Sequence, residues 1–168
     1  MEPTPDNLGV LFAPRSVAVI GATNRAGSVG QAVFANMLHH NYSGVVYPVN
    51  PKAPSIMSVK AFASIRDIPD EVDLSIIIVP RDLVAQMLRE CGEKKVKAAI
   101  VITAGFKELG PEGGPKEQEV LQVAKSCGIR LLGPNCLGII NTDPQVSLNG
   151  SFARLMPMFL KSQRESGR

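Results

Sequence analysis

The sequence predicts a single α/β domain, because five apolar runs alternate with three helical patterns along its 168 residues. The runs are continuously apolar instead of alternating with polar residues, which is typical of parallel strands covered on both faces. A chain of this length can bury one complete core. The predicted architecture is therefore a Rossmann-like, doubly wound parallel sheet in three layers.

The predicted strands are the runs rich in Val, Ile and Leu. They cover Val17–Ile20, Val45–Val49, Leu74–Val79, Ala98–Thr103 and Ile129–Leu132, with a further short edge strand around Lys60–Ala63. The predicted helices between them are Val29–His40, Asp82–Glu90 and Pro115–Cys127. Ser28 and Gln31 fit a capping box before the first helix, Gly92 is a stop signal after the second, and Gly110–Pro115 is a predicted loop.

Composition excludes several classes of function. The absence of Trp argues against an aromatic platform for single-stranded nucleic acid. Three widely spaced cysteines without a C-x-x-C motif predict neither a zinc site nor a disulfide framework. The start, "MEPTPDNLGV", lacks a signal-peptide pattern, and every apolar run is too short to cross a membrane. We expect a cytoplasmic protein without nucleic-acid or membrane partners.

Five loops follow the predicted strands, where doubly wound sheets bind their ligands. They are "GATNRAGS", "NPK" (Asn50–Lys52), "PRD" (Pro80–Asp82), "TAGF" (Thr103–Phe106) and "GPNC" (Gly133–Cys136). Glycine and proline often merely end a strand, which is the simpler explanation of any one loop. Five such loops at one edge of a sheet favour a ligand site.

The stretch "GATNRAGSVG", from Gly21 to Gly30, predicts a phosphate-binding turn between a strand and a helix. It is not the G-x-G-x-x-G fingerprint, because Thr23 stands at the second glycine, and no Lys follows as in a P-loop. The helix start after Ser28 and the charge of Arg25 would both attract an anion. The turn alone does not choose between NAD, a mononucleotide and coenzyme A.

The charge distribution narrows this choice. No Asp or Glu occurs between Asn7 and Arg66, and the same span carries Arg15, Arg25, Lys52, Lys60 and Arg66. An NAD site normally has an acid about 20 residues past the turn, to bind the ribose hydroxyl. Here the second predicted strand is followed by Lys52. Lys52 alone fits an ordinary solvated lysine, but the acid-free span favours a ligand with an extra phosphate near the ribose, which NADP and coenzyme A both carry.

Five motifs, in order, resemble the CoA-binding domain of the NDP-forming acyl-CoA synthetases. They are "SVAVIGATNRAGSVGQAVFANML", "VYPVNPK", "DLSIIIVP", "AAIVITAGFKELG" and "RLLGPNCLGIINT". That family includes ADP-forming acetate–CoA ligase and, more distantly, the α subunit of succinyl-CoA synthetase, and the same domain begins long protein acetyltransferases. The resemblance runs from about Leu8 to Met158. It implies a Rossmann-like domain that binds coenzyme A along the strand ends.

The resemblance also implies which residues meet each part of CoA. The turn would wrap the phosphates, Lys52 would meet the nucleotide end, Thr103 would lie beside the pantetheine arm, and Asn135 near the thiol. With Gly21 and Asn50 from the strand-end loops, the expected CoA-binding set is Gly21, Thr23, Asn24, Arg25, Ala26, Ser28, Asn50, Lys52, Val79, Pro80, Ile102, Thr103, Ala104 and Asn135.

In the complete enzymes of this family, an acid, CoA and ATP become acyl-CoA, ADP and phosphate through a phosphohistidine. The resemblance places that histidine in a later domain, so partner domains or a subunit would carry the phosphohistidine and ATP-grasp functions. The histidines present, His39 and His40, end the first predicted helix, where a surface role is favoured. No catalytic residue and no metal site are therefore predicted.

The predicted organisation is a CoA-binding domain over residues 8–150 and a tail over 151–168 that leads toward a second domain. Phe152–Leu160 is a candidate exposed apolar face, and disorder is expected from Lys161. Three functions stay open: part of an acyl-CoA synthetase that is inactive alone, an NADP-dependent oxidoreductase domain, and a regulatory module that responds to CoA or a nucleotide.

Overall fold

The computed structural model describes residues 8–153. In chain order the elements are α1 (Leu8–Phe12), β1 (Ser16–Ile20), α2 (Val29–His39), β2 (Val45–Val49), β3 (Ser55–Ile56), β4 (Val59–Lys60), β5 (Leu74–Ile77), α3 (Val84–Glu93), β6 (Ala98–Val101), α4 (Gly114–Ser126), β7 (Arg130–Leu132), β8 (Gly138–Asn141) and β9 (Leu148–Ser151). Short 3-10 helices cover Ile65–Asp67, Arg81–Leu83 and Lys107–Glu112. No helix among these residues is long and apolar enough to span a membrane.

Five strands form one parallel sheet in the order β2-β1-β5-β6-β7. The order reverses between β1 and β5, since the chain first moves outward to β2 and then crosses to the other side of β1. Such a reversal opens a crevice at the carboxyl ends of the two strands. The predicted parallel sheet is confirmed, and the position of its crevice is fixed by this strand order.

The sheet is covered on both faces, which explains why its strands are continuously apolar. All residues of β5 are buried. Leu74 and Ile76 pack in the cluster that includes helix α2, whereas Ile77 packs in the cluster that includes helices α3 and α4. Alternate side chains therefore enter opposite layers, and the predicted three-layer arrangement is confirmed.

Two predicted strands are shorter in the structure, because their ends turn into the loops of the crevice. Strand β5 ends at Ile77 and not at Val79, and β6 ends at Val101 and not at Thr103. One further backbone bond continues each ladder, from Ile78 N–H to Ile20 O (2.8 Å) and from Ile102 N–H to Ile77 O (3.1 Å). Beyond those bonds the two segments leave the sheet.

The second predicted helix differs at both ends. A 3-10 turn over Arg81–Leu83 precedes α3, and the helix continues through Gly92 to Glu93. The predicted stop at Gly92 is wrong because this glycine serves helix packing. A Cβ at position 92 would lie 2.6 Å from Sγ of Cys127, so glycine lets α3 approach the end of α4.

Two segments predicted as a loop and an edge strand have regular structure of another kind. The 3-10 helix Lys107–Glu112 and the first residues of α4 occupy the predicted loop, with Pro115 in the first turn of that helix. The predicted strand at Lys60–Ala63 is instead an antiparallel hairpin of β3 and β4, followed by a bridge between Val49 and Phe62. Strands of two residues are too short to give a periodic pattern in the sequence.

The antiparallel hairpin of β8 and β9 has no counterpart in the sequence prediction. Strand β9 reads "LNGS", which resembles a loop, yet all four residues are buried against α2. The polar side chains of this strand can be buried because Oδ1 of Asn149 accepts a hydrogen bond from the Ser151 hydroxyl at 2.8 Å. The strand ends one residue past the predicted domain boundary at 150, and the predicted tail from residue 154 lies outside the described residues.

Asp73 is the main buried charge at the amino edge of the sheet. The residue is 5% exposed, and its side chain accepts hydrogen bonds from the Arg15 backbone N–H (2.9 Å) and Lys97 Nζ (2.7 Å). Burial works to raise the pKa of this carboxyl, but the bonds from Lys97 and Arg15 outweigh burial and lower the pKa below its ordinary value. The carboxylate therefore joins the segments that precede β1, β5 and β6.

Replacing Asp73 with Asn is expected to lower the free energy of unfolding by about 1–3 kcal/mol at pH 7, because two donors lose a charged acceptor. The lowered pKa means that this stabilisation is present above the unfolded-state pKa of about 3.9 and is lost as pH falls through the folded-state value. Urea unfolding at pH 7 and pH 3 measures both effects, with Glu112→Gln, an exposed acid, as control. Equal midpoints for the two variants at pH 7 would contradict this role.

Candidate functional site

The glycine turn after β1 lies at the crevice, against the end of β5. Gly21 has φ +95°, and a Cβ there would lie 2.0 Å from the Ile78 carbonyl oxygen. Gly30, in the first turn of α2, would place a Cβ 2.1 Å from the Gly21 carbonyl oxygen. These two glycines therefore allow backbone to approach backbone, which brings the start of α2 to the strand ends.

Ser28 begins helix α2. Its Oγ accepts the Gln31 N–H at 3.3 Å and donates to the Arg25 carbonyl at 2.7 Å. The Ser28 N–H donates to Arg25 O rather than to the Gln31 side chain, so one half of the predicted capping box forms. Helix geometry leaves the N–H groups of Val29 and Gly30 for an external acceptor, at the positive end of the helix dipole.

Arg25, in the turn before α2, and Lys52, in the loop after β2, are both exposed. Within residues 8–153, no ion pair involves either side chain. The other cations of the acid-free span have partners, in the pairs Arg15–Asp73, Lys60–Phe62 and Arg66–Glu93. The positive charge of Arg25 and Lys52 is therefore available to a ligand.

Two asparagines expected in the site bond to backbone. Asn50 donates through Nδ2 to Ala22 O (2.8 Å) and accepts the Lys52 N–H at Oδ1 (2.8 Å). Asn24 donates through Nδ2 to Ser55 O (3.0 Å) and accepts the Met57 N–H at Oδ1 (2.9 Å). Both side chains thus connect the glycine turn to the segment that follows β2.

An uncharged groove of about 360 Å³ lies at the ends of β5, β6 and β7. It is lined by Val29, Ile78, Ile102, Thr103, Ala104, Asn135, Cys136, Leu137 and Phe152. The Thr103 hydroxyl donates to Val79 O at 2.7 Å, and the Asn135 N–H donates to Thr103 O at 3.0 Å. These bonds hold the three strand-end loops together along the groove.

The Cys136 thiol is one wall of this groove. It donates to the Val101 carbonyl oxygen, with Sγ and O separated by 3.4 Å. Burial raises the pKa of this thiol. The raised pKa disfavours the thiolate, which is the nucleophilic form of cysteine, so the half-buried Cys136 contributes shape to the groove.

Sequence reasoning did not single out two charged residues that shape the loop after β6. Arg81 donates through Nη1 to the Gly105 carbonyl at 2.9 Å, and Glu108 accepts the Gly105 N–H at 2.5 Å. The bond from Gly105 N–H is the main cause that lowers the pKa of Glu108. Gly105 has φ +106°, and the two ionised side chains hold this turn open beside the groove.

A second groove of about 390 Å³ runs along α2. Its wall includes Gln31, Ala32, Ala35 and Asn36, and it shares Val29 and Phe152 with the first groove. Phe152 follows strand β9, and a reading of the sequence that missed this strand could not place Phe152 here. The remaining residues of the predicted apolar face, from position 154, lie outside the described residues.

The parallel strands bring the expected site residues to one edge. Ala26 and Pro80 are exposed at that edge, and Thr23 accepts the Arg25 N–H within the turn (3.2 Å). The histidines lie away from it, at the end of α2. His39 is exposed and His40 is half-buried, with Nδ1 2.8 Å from Asn36 O.

Replacing Gly30 with Ala is expected to lower the free energy of unfolding by about 1–3 kcal/mol, because the new methyl group would overlap the Gly21 carbonyl. The control is Gly114→Ala, also in the first turn of a helix, where no atom lies within 4 Å of the place that the new methyl group would take. Its effect should stay below about 1 kcal/mol. Urea unfolding of both variants measures the difference, and equal effects would refute the close approach.

A family model described as a CoA binding domain matches residues 15–142. The alpha subunit of ADP-forming acetate–CoA ligase II from Pyrococcus furiosus is 48% identical over 145 residues, which cover 86% of this chain and 31% of that subunit. ADP-forming 4-hydroxybutyrate–CoA ligase from Nitrosopumilus maritimus is 41% identical over 147 residues, which cover 88% of this chain and 21% of that ligase.

A solved structure also shows this similarity at the level of the fold. The dinucleotide forming acetyl-coenzyme A synthetase 1 from Ca. Korarchaeum cryptofilum, in complex with phosphate and ADP, superposes with a TM-score of 0.80 and 39% identity over 86% of this chain and 30% of that chain. The chain spans about a fifth to a third of the length of these relatives. The resemblance seen in the sequence motifs is confirmed, and the chain belongs to the family of CoA binding domains found in ADP-forming acyl-CoA synthetases.

Proposed function

We propose that this chain is the part of an ADP-forming acyl-CoA synthetase that binds coenzyme A across the carboxyl edge of its sheet. The observation that carries this proposal is the separation of charge along that edge. Cations without an ion-pair partner among the described residues lie at the ends of β1 and β2, and an uncharged groove lies at the ends of β5 to β7. CoA has the same division, because its phosphorylated nucleotide is anionic and its pantetheine arm is neutral.

The dimensions of the edge support one extended ligand. Neighbouring strands lie about 4.8 Å apart, so β2 and β7 are separated by about 19 Å. The pyrophosphate would lie on the start of α2, where Ser28 leaves two N–H groups free of intrahelical bonds. Lys52 would contact the ribose phosphate, and Thr103 and Asn135 would flank the pantetheine arm. A mononucleotide would fill the basic end alone.

The identity of the acid does not follow from this domain. Relatives named as acetate–CoA and 4-hydroxybutyrate–CoA ligases share it at 48% and 41% identity. A domain common to ligases of different acids fits the shared substrate, CoA. We place acid selection, the phosphohistidine and the ATP-grasp function in the additional length of such enzymes or in a partner subunit. One relative is itself named as an alpha subunit.

Two alternatives share the first step of this proposal. An NADP-dependent oxidoreductase would also use Lys52 at a ribose phosphate, but family membership favours CoA. A regulatory module would bind CoA through the same residues without passing it to a reaction. The free cysteines of the described chain fit a reducing compartment, and we propose a cytoplasmic location for the enzyme.

Calorimetric titration of this chain with CoA, dephospho-CoA, NADP and NAD tests the proposal. CoA should bind most tightly. Lys52→Ala should weaken CoA binding by about 1.5–3 kcal/mol, because a charged hydrogen bond to the ribose phosphate is lost, and should leave dephospho-CoA binding unchanged.

The matched control is Lys125→Ala, which removes an exposed lysine from the last turn of α4, before β7 begins at the amino edge of the sheet. It should leave both CoA and dephospho-CoA binding unchanged. Binding of NADP without CoA would favour the oxidoreductase alternative. Failure to bind any of the four ligands would contradict a self-sufficient CoA domain.

A further inference from the structure

The hairpin of β3 and β4 is attached to the glycine turn by one side chain. Asn24 uses Nδ2 to donate to Ser55 O and Oδ1 to accept from Met57 N–H, at 3.0 and 2.9 Å. The two residues of the hairpin turn, Met57 and Ser58, have φ values of +48° and +66°. Asn24 therefore bonds directly to the backbone of an unusual turn.

The hairpin depends on such outside support. A two-residue turn with both φ angles positive favours Asn and Gly, and here it contains Met and Ser. Strands of two residues contribute few ladder bonds, and a short isolated hairpin is at best marginally stable in water. The position of this hairpin is therefore coupled to the amide of Asn24.

Lys52 lies between two attachments of the same segment. Before it, Asn50 binds Ala22 O and the Lys52 N–H. After it, the chain reaches Ser55 and Met57, which Asn24 binds. The attachments end on the glycine turn at Ala22 and Asn24, which precede Arg25 in sequence. The two asparagines thereby fix the cation of the β2 loop relative to the cation of the turn.

We propose that Asn24 is a positioning residue for the nucleotide end of the CoA site. It holds the segment that carries Lys52 so that Lys52 and Arg25 bind the same phosphorylated nucleotide. This inference rests on the proposed function, and it assigns Asn24 a different role from the phosphate contact expected from the sequence. The second N–H of its amide can still donate to a ligand, and the experiment separates that contact from positioning.

The test is a double-mutant cycle on this chain, with Asn24→Ala, Lys52→Ala and the combined variant titrated calorimetrically with CoA and with dephospho-CoA. A positioning residue acts through Lys52. Asn24→Ala should therefore weaken CoA binding about tenfold in the wild-type background and less than about twofold in the Lys52→Ala background. Binding of dephospho-CoA should change less than about twofold throughout.

A rescue variant distinguishes geometry from direct contact. Ser58→Gly relieves the strain of the positive φ at position 58 and leaves Asn24 and Lys52 unchanged. When combined with Asn24→Ala, it should recover at least about threefold of the lost CoA affinity. Gln122→Ala, which removes an exposed amide from α4, is the control for loss of an amide and should change no affinity.

The outcomes separate this inference from the function on which it rests. If Asn24→Ala also weakens CoA binding about tenfold in the Lys52→Ala background, or weakens dephospho-CoA binding as much as CoA binding, Asn24 contacts the ligand directly. Either result would overturn the positioning role and leave the proposed CoA binding intact. An Asn24→Ala variant with wild-type affinity would overturn positioning as well. A wild-type chain that binds neither CoA nor dephospho-CoA would refute the proposed function and this inference together.

Discussion

The site depends on the close approach of three backbone segments where β1, β5 and α2 meet. The Gly21 carbonyl lies where a side chain at position 30 would be, and the Ile78 carbonyl lies where a side chain at position 21 would be. Because both neighbours are main-chain atoms, neither can rotate away as a side chain could. This contact fixes the positive end of α2 at the strand ends and sets the boundary between the basic turn and the neutral groove.

Charge is divided between two regions of the same small domain. Most acids of the described ion pairs lie along α3, α4 and the amino edge of the sheet, whereas Asp82, in the loop after β5, pairs with Arg81 and Lys116. The glycine turn and the β2 loop contain no acid. A net charge of +3 is modest, but the acid-free glycine turn and β2 loop concentrate positive potential at their end of the carboxyl edge, where it attracts anions and increases their association rate.

The sequence predicts the parallel sheet well because burial on both faces leaves a direct signal in runs such as "LSII". It also predicts the edge at which the site forms, since the strand ends of a parallel sheet must share it. It fails where local pattern and tertiary contact disagree. "LNGS" has the composition of a loop, but it forms a buried strand because Asn149 and Ser151 hydrogen-bond to each other in the interior. Gly92 has the position of a helix stop, but it lies inside α3 because Cys127 packs where a side chain at position 92 would be.

The sequence also predicts which residue types form the candidate site, but it does not predict their hydrogen-bond and packing partners. Arg25 and Lys52 follow from counting charges. The bonds of Asn24 to Ser55 and Met57 join residues more than 30 positions apart, and no spacing rule finds them. The same is true of Phe152, which reaches the groove only through an unpredicted strand. Such long-range contacts determine whether a residue binds a ligand directly or positions another residue that binds it.

The state of Cys136 has a chemical consequence for a groove that would hold a thiol ester. Its sulfur donates to Val101 O, and partial burial raises the pKa of the thiol, which disfavours the nucleophilic thiolate. An acyl group carried on the sulfur of CoA would lie close to a second sulfur without being captured by it. A groove that binds CoA as proposed would therefore place a cysteine beside a thiol ester and still leave the acyl group on its carrier.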